Sequence, residues 1–181
     1  MQLLKKIGAL ALGGAMAFAA PVMAQDTITI GVSIPAATHG WAGGLNWHAA
    51  QAQARLQEQH PNINIVLVTA DGPAQQANDL EDLVSIHNID ALVVLPFESE
   101  PLTDPVRQVK NSGVFVTVVD RGLSQEGIED VYVAGNNTAL GQVSGEYFRS
   151  RLGEGDNIVI LRGIPTVIDD ERFNAFMEAI D

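Results

Sequence analysis

The sequence predicts a doubly wound α/β fold built on a parallel sheet. Three observations carry that expectation. Apolar runs rich in Val and Ile recur at 27–34, 63–69, 91–95, 114–119, 131–134 and 157–161, and most are continuously apolar, as strands buried on both faces are. The segments between them place apolar residues at helical spacing. Strand and helix alternate along nearly the whole chain, which favours a sheet with helices on both faces.

Taken in order, strand 27–34 is followed by Leu45, Ala49, Ala52 and Leu56, at i, i+4, i+7 and i+11, on one face of a helix closed off by Pro61. Strand 63–69 leads to a helix faced by Ala77, Leu80 and Val84, and strand 91–95 to one faced by Leu102, Val106 and Val109. Between 114–119 and 131–134 no helical pattern intervenes. Leu140, Val143 and Tyr147 then mark a helix before strand 157–161, and Phe173, Phe176, Met177 and Ile180 mark a last apolar face. Ligands in such sheets bind beyond the carboxyl ends of the strands, here 34–41, 70–73, 96–101, 120–123, 135–138 and 162–170. The last helix has barely three turns when the chain stops at Asp181, with no capping residue, which reads as a cut in a longer protein.

Of the 181 residues 46% are hydrophobic and 18% charged, with 10 Lys+Arg against 22 Asp+Glu and no cysteine. Lys5 and Lys6, the uncharged run 7–20 and the small-residue site ending at Ala24 read as a secretory signal peptide over residues 1–24. Its removal leaves 157 of the 181 residues; both lysines go and no acid does, so the net charge moves from -12 to -14. Such acidity repels phosphate backbones and anionic lipid, which argues against nucleic-acid and membrane-surface partners. No later stretch approaches the ~20 apolar residues of a membrane span, so no membrane insertion is expected after leader cleavage. Without cysteine there is no thiol catalysis, disulfide or Cys-based zinc site.

Enzyme signatures are absent. No G-x-G-x-x-G opens a helix after the first strand; the pair Gly153 and Gly155 precedes a strand instead. No P-loop or nucleophile elbow occurs. His39, His48, His60 and His87 share no metal-ligand spacing, so no metal and no cofactor are expected. His87 continues the face of Leu80, Leu83 and Val84 as a partly buried structural histidine, and His60 sits at a helix end as a cap.

The strand ends instead hold aromatic, carboxylate, amide and guanidinium groups. A sugar requires that mixture, because its hydroxyls bind planar polar forks while its C–H face stacks on a ring. Trp41 follows strand one, Asp120 and Arg121 end strand four, and Asn136 and Asn137 follow strand five. Two readings stay open for each of the first two groups: Trp41 as ligand platform or helix-start packing, and Asp120-Arg121 as sugar ligands or a solvated ion pair.

These stretches resemble the periplasmic sugar-binding proteins of ABC importers, the group with the ribose-, galactose-, allose- and xylose-binding proteins. The matching segments are IGVSIP (30–35), IDALVVLP (89–96), VFVTVVDRG (114–122), VYVAGNN with LGQVSGEYF (131–148), and IVILRGI with DER (158–164 and 170–172). The resemblance implies a type I periplasmic-binding-protein clamshell, with residues 25–135 as the first α/β lobe and 136–181 as the truncated start of a second. It implies that Asp120 and Arg121 hold sugar hydroxyls, that Trp41 lies where aromatic residues stack on the ring with His39 beside it, and that Arg172 grips the sugar from the second lobe. Gly135 and Asn136 match the first crossover between lobes. Glu98 stands near where ribose-binding members place an Asn-Pro, and the loop 36–40 lacks their paired phenylalanines.

The expected function is capture of a monosaccharide in the interlobe cleft and delivery to the membrane permease of an ABC importer, by a periplasmic protein that is monomeric at full length and performs no chemistry. A sensory protein presenting a sugar-like signal to a membrane receptor keeps the same fold. A lactose-repressor-type regulator is disfavoured by the leader, the acidic charge and the missing helix-turn-helix. A sugar-phosphate isomerase is disfavoured by the lack of a phosphate loop, metal cluster or acid–base pair.

Overall fold

A computed structural model describes residues 26–181; the export leader expected at 1–24 lies outside the described residues. The elements run β1 (Ile28–Pro35), α1 (Gly40–Gln59), β2 (Ile63–Ala70), α2 (Pro73–Ser85), β3 (Ala91–Val94), α3 (Ser99–Asn111), β4 (Phe115–Val119), β5 (Val131–Val133), α4 (Asn137–Arg149) and α5 (Val167–Ile180). The five strands form one parallel sheet in the order β2-β1-β3-β4-β5. The chain moves outward from β1 to β2, then returns to the other side for β3 and β4, so the strand order reverses beside β1. That reversal opens a crevice at the carboxyl ends of β1 and β3.

The side-chain period of two sorts the strand residues between two faces. One set, Leu92, Val94, Val116 and Val118, is buried against Leu80 and Leu83 of α2 and Leu102, Val106 and Val109 of α3. The other set, including Val32, Ile34, Ile65, Leu67 and Val93, faces Leu45, Ala49, Ala52 and Leu56 of α1. The helical spacing read in α1 and α3 is thus the spacing that meets the sheet, whereas in α2 Leu80 is buried together with Gln76 and Leu83, and Ala77 and Val84 are only half-buried beside α3. Phe115, Val131 and Val133, on the α1 side beyond its reach, remain exposed.

β2 is an edge strand, whose unpaired backbone groups need partners. Two glutamines of α1 supply them at Ile65: Gln53 Nε2 donates to its carbonyl at 2.8 Å, and its N–H donates to Gln57 Oε1 at 2.7 Å.

Three expectations change. Residues 157–161 form no strand; Val159 and Leu161 are almost fully exposed, because a strand exists only through a paired neighbour and the described residues place none alongside. The buried face of α4 is not Leu140, Val143 and Tyr147, which are all exposed, but Asn137, Gly141 and Gly145, against which α5 packs. His87 lies beyond the end of α2 and is exposed rather than partly buried. His60 does cap α1, through its backbone N–H to Leu56 O at 2.9 Å.

The segment 165–167 leading into α5 contacts the sheet layer at Ser99 and Gly122. Ser99, at the start of α3, accepts the Val167 N–H on its Oγ at 3.0 Å and donates its own N–H to Pro165 O at 3.3 Å. Gly122 lies so close to Val167 that a Cβ there would stand 2.9 Å from Val167 Cγ2.

Candidate functional site

The site starts from a buried amide. Gln76 of α2 is fully buried, where an unpaired polar group is costly, and every polar atom of its side chain is used. Its Nε2 donates to Ser33 Oγ at 3.1 Å and Leu95 O at 2.9 Å, while its Oε1 accepts the Phe97 N–H at 2.7 Å. This ties the carboxyl ends of β1 and β3 together and sets the path of the β3–α3 loop. Gln76→Leu is expected to lower unfolding stability by about 2 kcal/mol, since it leaves the Phe97 N–H and Leu95 carbonyl without their partner. Chemical denaturation checks this, with an unchanged midpoint as the contrary result.

That loop seats Arg121. The guanidinium is buried at the end of β4 and donates Nη1 to Phe97 O at 2.8 Å and Pro96 O at 3.3 Å. Burial pulls its pKa down, and the nearby Asp120 and Glu98 carboxylates oppose that shift. An arginine starts so high that it stays charged. Among the described residues no hydrogen bond or salt bridge joins Arg121 to Asp120, so the two are not a closed ion pair.

Asp120 adopts a left-handed backbone with φ of 61°, in the region that favours glycine. Its N–H donates to Val133 O at 2.8 Å, and its carbonyl accepts the Tyr132 hydroxyl at 2.8 Å. Trp41, in the first turn of α1, is 54% exposed, so it is not core packing. The His39 ring lies nearly parallel to it, with centroids 6.5 Å apart. Facing these groups, α5 presents Arg172, whose Nε donates to Asn137 Oδ1 at 2.9 Å. Asn137 is buried and also donates to Gly135 O at 3.2 Å, linking the turn before α4 to the arginine.

His39, Trp41, Asp120, Arg121 and Arg172 line one open cleft of about 460 Å³, together with Thr166 and Asp169 among others. The structure thus brings together five of the seven residues picked from the sequence. Asn136 and Glu98 are not among the lining residues. Asn136 caps α4, its side chain accepting the Ala139 N–H at 2.9 Å, and Glu98 precedes α3 beside the buried Arg121. Asp169 escaped the sequence reading. It is held by Arg162 Nε at 2.7 Å and by the Gly163 N–H at 2.9 Å, and an acid in the first turn of a helix was the available signal. No group of three His, Cys, Asp or Glu side chains suited to a metal ion occurs among the described residues.

Residues 30–181 match the periplasmic binding protein domain. The chain belongs to that family. Its fold is the type I periplasmic-binding-protein α/β fold. The solved fructose-binding periplasmic domain of a hybrid two-component system is similar in structure, with a TM-score of 0.72 and 26% identity, covering 84% of this chain and 49% of that one. Among curated relatives, the ribose import binding protein RbsB of Bacillus subtilis is 29% identical over 104 residues, 57% of this chain and 33% of its own. The multiple sugar-binding periplasmic protein SbpA of Azospirillum brasilense is 29% identical over 151 residues, covering 80% of this chain and 41% of its own. The chain therefore spans about half of the solved binding protein and about a third to two fifths of these curated relatives. These relatives are named for what they bind, and none of the three is named as an enzyme. No helix among the described residues is long and apolar enough to cross a membrane.

Proposed function

We propose that this chain captures a neutral monosaccharide in the periplasm, in the cleft between the sheet's carboxyl edge and α5, and delivers it to an ABC-importer permease without chemistry. The observation that carries the reading is the convergence on one cleft of an exposed indole, a carboxylate and two guanidinium groups. Asp120 accepts hydroxyl hydrogen bonds, Arg121 and Arg172 donate from opposite walls, and Trp41 covers the apolar face of the ring. Residues 25–135 act as the first lobe and 136–181 as part of the second, so that the contacts of Ser99 and Gly122 with 165–167 close the cleft and strip water from the charged bonds.

A sensory role is the second reading, favoured by the likeness to a periplasmic domain of a hybrid two-component system. Both readings require sugar at Trp41. The chain has two tryptophans, so Trp47→Phe isolates the emission of Trp41. Titration of that variant with pentoses and hexoses is expected to change its fluorescence saturably for at least one sugar. A flat response to all of them would overturn the reading.

A further inference from the structure

We propose that Tyr132 is a positioning residue of the cleft: its hydroxyl holds Asp120 in the left-handed backbone conformation that aims the carboxylate at the sugar. The inference rests on Asp120 being a sugar ligand.

Only two non-glycine residues in the described chain have positive φ, Asn88 and Asp120. An L residue leaves that region unless its surroundings hold it there, although aspartate tolerates it better than most. β5 holds Asp120 from both ends. Val133 takes its N–H through the main chain, and Tyr132 takes hold of its carbonyl through a side-chain donor 12 residues away in sequence. Were φ to revert, the Cβ direction would swing and carry the carboxylate away from Arg121 and Trp41.

The surroundings keep this donor in place. Gly122 leaves room for the phenol, since a Cβ there would stand 3.3 Å from the Tyr132 hydroxyl. Burial raises the phenol's pKa, and Glu171, Asp120 and Glu129 push the same way against a weaker backbone hydrogen bond from Gly122. The hydroxyl is therefore protonated, and able to donate, throughout the neutral range. Tyr132 is 41% exposed, so packing alone does not demand a tyrosine.

Tyr132→Phe keeps the ring and removes the donor. In the isotope-labelled chain, the three-bond HN–Hα coupling and backbone shifts of Asp120 report its φ with no sugar present. The variant is expected to lose the left-handed signature and to bind sugar roughly 3- to 10-fold more weakly, the range of one hydrogen bond. In an Asp120→Ala background the same change is expected to cost nothing further. Retention of the left-handed signature in Tyr132→Phe overturns the proposal, as does an undiminished loss in the Asp120→Ala background. Asp120→Ala that leaves affinity intact would instead remove Asp120 from the sugar site, and the role given to Tyr132 with it; the coupling measurement separates the two failures.

Discussion

Gly141→Val is expected to lower the melting temperature by roughly 6 to 12 °C, corresponding to about 3 kcal/mol in a protein of this size. Gly141 and Gly145 form the seam of α4 against α5. A Cβ at Gly141 would stand 2.3 Å from the Arg172 carbonyl, 2.9 Å from Ala175 Cβ and 3.0 Å from the Phe176 N–H. At Gly145 it would meet the Phe176 carbonyl at 2.6 Å. These neighbours are mostly helix backbone, which cannot rotate aside as a long side chain can, so α5 must move bodily. The helix-propensity gain on replacing glycine, up to about 1 kcal/mol for alanine, offsets only part of that cost. The displacement also draws Arg172 from Asn137, so sugar affinity falls with stability. Thermal melting monitored by circular dichroism checks the first effect; a melting temperature unchanged within 2 °C, taken as about 1 kcal/mol, would mean that the seam is looser than the geometry indicates.

Asp120→Ala is expected to weaken sugar binding by at least about 100-fold. A carboxylate accepting two hydroxyls contributes about 1.5 to 3 kcal/mol per charged hydrogen bond, and each 1.4 kcal/mol is a factor of ten. Alanine also fits the left-handed conformation less well than aspartate. Asp120→Asn separates the two effects, because asparagine tolerates that backbone while lacking the charge. Loss of affinity in both variants, with folding kept in Asp120→Asn, assigns the effect to the carboxylate.

The sheet and the first three helices were legible because their patterns are set by large apolar side chains meeting a continuous surface. Leu102, Val106 and Val109 have to face inward for α3 to pack at all. α4 was misread for the complementary reason. Leu140, Val143 and Tyr147 dominate any hydrophobic periodicity, whereas Gly141 and Gly145 add no apolar area yet decide which face a neighbouring helix can approach. The run at 157–161 has the composition of a strand, but pairing belongs to two segments and cannot be read from one.

In the site, Trp41, Asp120, Arg121 and Arg172 were visible because their chemistry is conspicuous at strand ends or in a motif. Gln76 and Tyr132 were not singled out as site residues. Gln76 looks like an ordinary polar position in a helix; only the fold brings Ser33, Leu95 and Phe97 around it. Asn136 and Asn137 were adjacent and equally plausible, and local geometry divided them into a helix cap and a partner of Arg172.

The proposed function has sugar held by the carboxylate at the end of β4. It is tested most directly by ligand-observed saturation-transfer NMR of a monosaccharide panel with the wild-type chain, with Asp120→Asn, and with Glu58→Gln, an exposed change near the far end of α1. Saturation transfer to a sugar in the wild-type and Glu58→Gln proteins, lost in Asp120→Asn, is the predicted result. Equal transfer in all three proteins would contradict the account.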